Sequence, residues 1–264
     1  HLEPGYRSNW GTYLLSAWRW PGSERFDGEM NFDYRADRGF AIGPDLNWNL
    51  GDWGSGDLES YLAFDDDPMN DSNGDPLNQD RQRLEFSHRA KWGDLSLLSV
   101  FNYESDEYMR RDFFEHEYRE NAQPQTFLEL NQNWTDYNLS FLAQPRLNYH
   151  YDTVERIPDL KFTGLRQRIK DTPFYYDQET SVSYLRRKYA NESRPWFGGM
   201  RMDTLHQFYH PQTYFGWLQF TPRIGGRWTR YGETDGSGAS FNDRDRLLMN
   251  TGAELSAKAS RFYP

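Results

Sequence analysis

Carboxylates crowd Asp65-Asp66-Asp67 and Asp71-Ser72-Asn73-Gly74-Asp75, a density of oxygen ligands that could hold Ca²⁺. An EF-hand loop needs carboxylates at its positions 1, 3 and 5, Gly at 6 and Glu at 12. Counted from Asp71, the sixth residue is Pro76, so the stretch reads as a solvated surface loop. His206 and His210 stand four apart and His116 and His150 stand alone; no Cys or second His pair completes a zinc ligand set. Among 40 Asp and Glu some pair must lie at glycosidase spacing, but no segment singles one out. A G-x-S-x-G nucleophile elbow and a Gly-rich phosphate loop are both missing. The sequons at Asn70, Asn133, Asn138 and Asn191 read as chance, since two sit on or beside predicted strands. These residues imply neither catalysis nor a metal or other cofactor.

The elements that would carry them are more telling. From Phe26 to Ala36 every even residue is apolar or small (Phe26, Gly28, Met30, Phe32, Tyr34, Ala36), and every odd one is polar. After Asp37-Arg38-Gly39 the phase resumes with Phe40, Ile42, Pro44, Leu46, Trp48 and Leu50. Period-2 alternation of this length gives strands with one apolar and one wet face. Runs of ~11 residues exceed the usual ~5–6 of soluble sheets and suit a tilted membrane-crossing strand. The pattern is that of a transmembrane β-barrel hairpin. Asp27, Glu29, Asn31, Asp33, Arg35, Asp45, Asn47 and Asn49 are then expected to line a hydrated lumen. Met30, Phe32, Tyr34, Phe40, Ile42, Leu46, Trp48 and Leu50 are expected to face lipid. Trp18, Trp20, Trp48 and Trp92 fall near strand ends, where interfacial anchors sit.

Composition fits. Only 36% of residues are hydrophobic, and the mean hydropathy of -0.99 is too polar for a large two-layer core. Aromatic content is nevertheless 17%, as a water-filled barrel with aromatic girdles requires. A secreted sugar-binding β-protein would share that composition. The net charge of -10 argues against nucleic acid. No run approaches the ~20 apolar residues of a membrane helix, so insertion would be by strands. With no Cys there is no disulfide chemistry. The chain opens on His1 and closes on Ser260-Arg261-Phe262-Tyr263-Pro264, and reads as an internal fragment of a longer exported protein.

Alternation recurs at Trp10–Trp20, Leu58–Phe64, Leu84–Trp92, Leu95–Tyr103, Thr126–Trp134, Tyr137–Leu147, Asp159–Arg166, Gln178–Lys188, Arg201–Phe208, Tyr214–Arg230 and Arg246–Phe262. With the first hairpin this predicts about 13 antiparallel strands, paired in sequence order. Short turns at 21–25, 37–39, 51–56, 93 and 135 contrast with long loops at 65–80, 105–124 and 231–245. Ser105–Gln123 breaks the period and reads as a partly helical outer loop. The whole chain, residues 1–264, is expected to be one partial barrel domain, all-β and antiparallel, forming an incomplete, curved, open sheet.

Several stretches, in order, resemble the LPS-assembly protein LptD family, a large outer-membrane barrel. They are Gly5-Tyr6-Arg7-Ser8-Asn9-Trp10-Gly11, the hairpin Tyr34-Arg35-Ala36-Asp37-Arg38-Gly39, Ser105-Asp106-Glu107-Tyr108 with Arg111-Asp112-Phe113, and Glu155-Arg156-Ile157-Pro158-Asp159-Leu160. The resemblance covers roughly residues 5–190. It implies the N-terminal half of a barrel that the family builds from 26 strands, following a periplasmic jelly-roll domain. It also implies lipopolysaccharide as cargo, received from a periplasmic bridge protein of the LptA type and released sideways between first and last strands. A plug lipoprotein of the LptE type would fill the lumen. The family's early prolines weaken that seam, whereas Pro4 and Pro21 here are expected only to flank the first strand, Trp10–Trp20. Two other readings stand beside this one: a secreted aromatic-rich sandwich or propeller that binds or cleaves polysaccharide, and a simple diffusion porin.

Overall fold

The computed structural model describes residues 1–257. Its strands are β1 (Leu2–Arg7), β2 (Gly11–Ser23), β3 (Phe26–Arg35), β4 (Gly39–Asn49), β5 (Ser55–Phe64), β6 (Asp80–Trp92), β7 (Leu95–Glu104) and β8 (Phe127–Asn133). They continue with β9 (Tyr137–Gln144), β10 (Thr153–Arg168), β11 (Tyr175–Lys188), β12 (Phe197–Tyr209), β13 (Gln212–Tyr214), β14 (Leu218–Gly236) and β15 (Arg244–Ala257). Two short helices, α1 (Met109–Phe113) and α2 (Glu115–Glu120), interrupt them. The protein is all-β: the 15 strands among the described residues pair in sequence order up to β12, after which β14 carries β12 and β13 along one edge and β15 along the other. Registers from β1 to β7 and from β12 to β15 are antiparallel. Among the described residues β1 and β15 do not pair with each other. The stretch 258–262 of the last expected strand lies outside the described residues.

The two strands beyond the expected 13 are β1 and the three-residue β13. Pro4-Gly5 masks β1 in the sequence because it looks like a turn. In the fold, Pro4 lies inside β1 and Pro21 inside β2, which corrects the expectation that both merely flank a strand. His1 and Ala17 exchange backbone bonds (2.7 and 3.0 Å), so the next pairs alternate and Pro4, opposite Leu14, turns its missing N–H away from β2. Pro21 falls where the β2–β3 register shifts between Trp20 and Ser23, the kind of irregularity that tolerates proline.

The chain divides into two compact units. The first comprises residues 1–130, 143–155 and 187–195. In its β3–β5 wall, one face carries the rows Tyr34–Phe40–Phe64, Phe32–Ile42–Leu62, Met30–Pro44–Ser60, Gly28–Leu46–Leu58 and Phe26–Trp48–Gly56. Trp20 lies over Gly28 and Trp48 over Gly56, so a Cβ at either glycine would collide with an indole. Phe26, Phe32, Tyr34, Phe40 and Phe64 are exposed on this face. The opposite face carries the charges, and there Asp33, Arg35, Arg81 and Arg83 are buried. Soluble domains do the reverse.

What buries the charged face is the segment 105–126. Met109 and Phe113 of α1, with Phe114, pack on Ala41, Tyr61 and Ala63, and each large side chain so buried contributes roughly 1.5–3 kcal/mol. The expected outer loop is therefore helical but lies against the sheet. Its alanine-lined landing site on β4 and β5 leaves room for a helix at that point.

The second unit comprises residues 131–142, 156–186 and from Trp196 on. It repeats the inversion: Phe208, Ile224, Leu247, Met249 and Leu255 are exposed, whereas Asp203 is buried. Asp203 accepts from Arg227 Nε at 2.8 Å and Thr229 Oγ1 at 2.6 Å.

Candidate functional site

Connections alternate between the two ends of the strands, so in the first unit those at 8–10, 36–38, 65–79 and 105–126 share one end. Two arginines tie them together. Arg81, at the start of β6 and fully buried, donates to Asp65 Oδ2 (2.8 Å), Asp112 Oδ2 (2.9 Å) and both oxygens of Asp106 (2.7 and 2.9 Å). Arg38 donates to Asp65 Oδ2 (3.0 Å), the Asn9 carbonyl (3.2 Å) and the Asp67 carbonyl (3.0 Å). Trp10 Nε1 closes the ring by donating to the Asp112 carbonyl at 2.7 Å. Burial alone would raise the Asp106 carboxyl, but the paired bonds from Arg81 override it and hold it below the usual range.

A second clasp holds α1 and α2 lower on the wall. Arg110 donates to Glu104 (2.6 Å), Glu117 (3.0 Å) and Glu85. Arg83 grips both oxygens of Glu117 (2.5 and 3.1 Å) and lies 3.9 Å over the Phe114 ring. Next to it, the Tyr61 hydroxyl donates to Asp33 (2.5 Å) and accepts from Arg35 (2.7 Å), whose guanidinium stacks 4.3 Å from Trp10.

The 145–152 connection joins the same end. Asn148 accepts from the Glu104 N–H (2.9 Å), and Tyr151 donates to the Glu104 carboxylate (3.1 Å). His150 is buried there with no partner on either ring nitrogen, its ring 4.3 Å from that of Tyr151. Desolvation pushes His150 down to about 4, against the opposing pull of Asp106 and Glu107 and with help from Arg146.

The structure brings together two motif stretches that the sequence keeps about seventy residues apart. Arg38 lies 4.0 Å from Asp112, and Arg81, which shares Asp65 and Asp112 with Arg38, also meets Asp106 and the Phe113 ring. Gly39 has φ +79°, which the hairpin after Asp37 needs, and a Cβ there would strike the Phe64 carbonyl. Tyr34 is exposed and Tyr108 half-buried. Arg156, Pro158 and Leu160 are exposed on β10 in the second unit, within the strand rather than at its opening.

Of the lumen candidates, Asp33 and Arg35 are buried, Glu29, Asn31 and Asp45 half-buried, and Asp27, Asn47 and Asn49 exposed. Of the lipid candidates, Phe32, Tyr34 and Phe40 are exposed, and Met30, Ile42, Leu46, Trp48 and Leu50 half-buried. Asp65 is 1% exposed, which corrects the reading of this stretch as solvated at that one position, Asp66 and Asp67 being exposed. Two guanidiniums compensate its desolvation. Asp71 instead caps its own turn, accepting from the Asn73 and Asp75 N–H groups. Sequence reasoning missed Arg81, Arg83 and Arg110. The signal was Arg81 and Arg83 two apart, continuing the polar phase of β6 upstream of Leu84.

Along the charged face of β2–β6, bordered by Phe113 and Phe114, is a cavity of about 300 Å³ lined by Asn31, Arg35, Asp45, Glu59, Arg83 and Phe114, among others.

No protein-family model matches the chain, and no curated protein matches it in sequence. Among solved structures it is similar to the P pilus usher (PapC) translocation pore, at 12% identity and a TM-score of 0.41, over 99% of this chain and 60% of that one. The chain thus spans less than two thirds of that structure's length, and a likeness this loose leaves function to be read from the protein's own surfaces.

Proposed function

We propose that this protein is part of the wall of an outer-membrane β-barrel and that its charged face borders a transport path. One observation carries this reading: aromatic and aliphatic side chains are exposed on one face, whereas the charges on the other are buried and paired. The apolar rows run from Phe26–Trp48 to Tyr34–Phe40, eight residues along the strand. At ~3.4 Å per residue that is about 27 Å of strand, or roughly 21 Å of thickness at a tilt of ~40°, close to the ~25 Å apolar band of such barrels. A sandwich acting on polysaccharide would bury Phe32, Tyr34 and Phe40 in its core, and here they are exposed on the one sheet.

Within that class, the resemblance to the LptD family favours lipopolysaccharide as cargo. A bridge protein of the LptA type would then be the donor and a lipoprotein of the LptE type the plug. Pro4 supports this finer reading, because it removes one donor from the free edge of β1 and so weakens any strand seated there. A diffusion porin is the second reading, favoured by the α1–α2 segment folded onto the charged face.

The chain has no Cys, so single cysteines report cleanly. In lipid vesicles, a membrane-impermeant thiol reagent should label Asn47→Cys and spare Phe32→Cys and Phe40→Cys. Equal labelling of all three would sink the membrane reading. Photo-crosslinking of lipopolysaccharide to position 47 separates LPS transport from a porin, which would show none.

A further inference from the structure

The hairpin of β13 and β14 closes on Tyr214-Phe215-Gly216-Trp217, where the Trp217 N–H donates to the Tyr214 carbonyl at 3.3 Å. Both central residues have positive φ, +54° at Phe215 and +73° at Gly216, the mark of a type I′ turn. Such turns favour Asn-Gly or Asp-Gly, because a short polar side chain tolerates the left-handed backbone. Here a phenyl ring stands at the Asn position, and a bulky residue at positive φ is strained. Burial within the fold does not offset that strain: Phe215 is 83% exposed and Trp217 55%, their ring centroids 6.4 Å apart. A turn built for water would carry Asn at 215, whereas Phe suits an apolar surrounding.

The turn also ends the apolar rows of the second unit. On one face of β14 and β15 these rows run from Trp228–Leu247 through Phe220–Leu255 to Leu218–Ala257. Past Trp228 the next outward pair is Arg230–Asp245, 3.7 Å apart, which closes the apolar stretch at that limit. From 228 to 218 is ten residues, about 34 Å of strand or roughly 26 Å of thickness at a tilt of ~40°, again the ~25 Å of an apolar band. The Phe215–Trp217 turn stands at the other limit. Connections in contact with this end carry Arg166, Arg168 and Lys170 against Asp136, Asp171 and Asp177. Three charges of each sign offer little for an acidic or a basic partner to recognise.

We propose that this turn is a lipid anchor, with Phe215 and Trp217 seated in the bilayer at the boundary between headgroups and acyl chains. Trp and Tyr favour that boundary, because each joins an apolar ring to a polar group. Phe215 adds apolar surface where an ordinary turn would meet water, and the surrounding lipid is what holds its strained backbone in place. The inference rests on the reading of this sheet as part of a membrane wall. All the residues it uses belong to the second unit, so it does not require barrel closure.

The experiment uses the whole chain in phosphatidylcholine vesicles, with a fluorophore on Phe215→Cys or on Phe32→Cys. Lipids spin-labelled near the headgroup should quench the label at 215 most, and lipids labelled at mid-chain the label at 32. Hydrogen exchange at the Trp217 amide, which closes the turn, then tests Phe215 itself. Phe215→Asn should slow this exchange several-fold in lipid-free buffer, where it relieves the turn, and speed it several-fold in vesicles, where it loses the lipid. Phe215→Trp should keep the protection in vesicles. Raising salt to about 0.5 M should change neither result, since no net charge is involved. The same sign for Phe215→Asn in both media, or protection that grows with protein density and so reports a second copy, would overturn the proposal. A water-exposed label at 215 beside a lipid-buried label at 32 would also overturn it while leaving the membrane reading in place; both labels in water would remove both.

Discussion

Arg81 Nη1 lies 2.9 Å from Asp112 Oδ2, joining the first residues of β6 to the end of α1 across 31 positions, with Arg81 wholly shielded from water. Two further carboxylates, Asp65 and Asp106, share the same guanidinium. One cation therefore holds three acids that would otherwise repel one another at one end of the unit.

Removing that cation should cost more than removing any one acid. Arg81→Leu strips Asp106 of its cation and leaves Asp65 to Arg38 and Asp112 to Arg38 and Arg111, and is expected to destabilise by about 3–5 kcal/mol. Asp112→Asn leaves Arg81 two other partners and should cost about 1–2 kcal/mol. The double variant should be less destabilised than the sum, since the two side chains interact directly. Urea titration in micelles, followed by the fluorescence of Trp10 against Asp112, measures all three. Simple additivity would show that the pair is not coupled.

His150 should give the 145–152 connection an acid-sensitive stability. Its folded pKa of about 4 lies below the ordinary ~6.5, so the neutral ring is the form that the fold accepts. The full contribution is present above pH ~6.5 and is lost as pH falls from there through about 4, by at most roughly 3 kcal/mol. Asp106 and Glu107 soften the loss by attracting the charged ring, and Arg146 adds to it. His150→Phe should remove this part of the pH dependence. Hydrogen exchange of the Glu104 and Tyr151 amides between pH 7 and pH 4.5 is the readout, and identical profiles for wild type and variant would refute it.

The outer rows should respond to charge only in lipid. Phe32→Arg places a guanidinium near the middle of the apolar band, where such a change costs about 2–4 kcal/mol. Phe32 is already exposed in the free protein, so in aqueous detergent-free refolding the same change should be nearly neutral. The comparison is refolding yield into vesicles against stability without them. Equal effects in both would mean that this face is covered by protein rather than by lipid.

Local pattern explains why some of this was legible beforehand. The strands β3 and β4 follow from unbroken alternation between Phe26 and Leu50, because pleat geometry alone assigns each residue a face. Pro4-Gly5 hid β1, since an edge strand tolerates a proline whose missing N–H faces outward and sequence does not reveal edges. The clasp was hidden for another reason: Asp65, Arg81, Asp106 and Asp112 belong to separate connections, and only strand register makes them neighbours. Acid-rich loops look solvated until their counter-ions are located. The stretches around Arg38 and Asp112 meet in the fold, which their distance in sequence did not show.

Pro4 supplies the sharpest test of the transport reading. Leu2, Pro4 and Tyr6 turn their backbone groups to the free edge of β1, so that edge offers two N–H donors where a normal strand would offer three. Pro4→Ala restores the third, worth about 1 kcal/mol to any strand that pairs there. The backbone around Pro4 is already extended, so alanine fits without strain. If cargo leaves by parting this seam, the variant in the intact outer-membrane protein should slow lipopolysaccharide delivery several-fold while its heat-modifiable gel mobility is retained. A passive pore has no use for a weak seam, and its solute flux would be unaffected by the same change. Unchanged lipopolysaccharide delivery alongside retained folding would therefore remove the β1 edge from the exit route and move the assignment towards the porin.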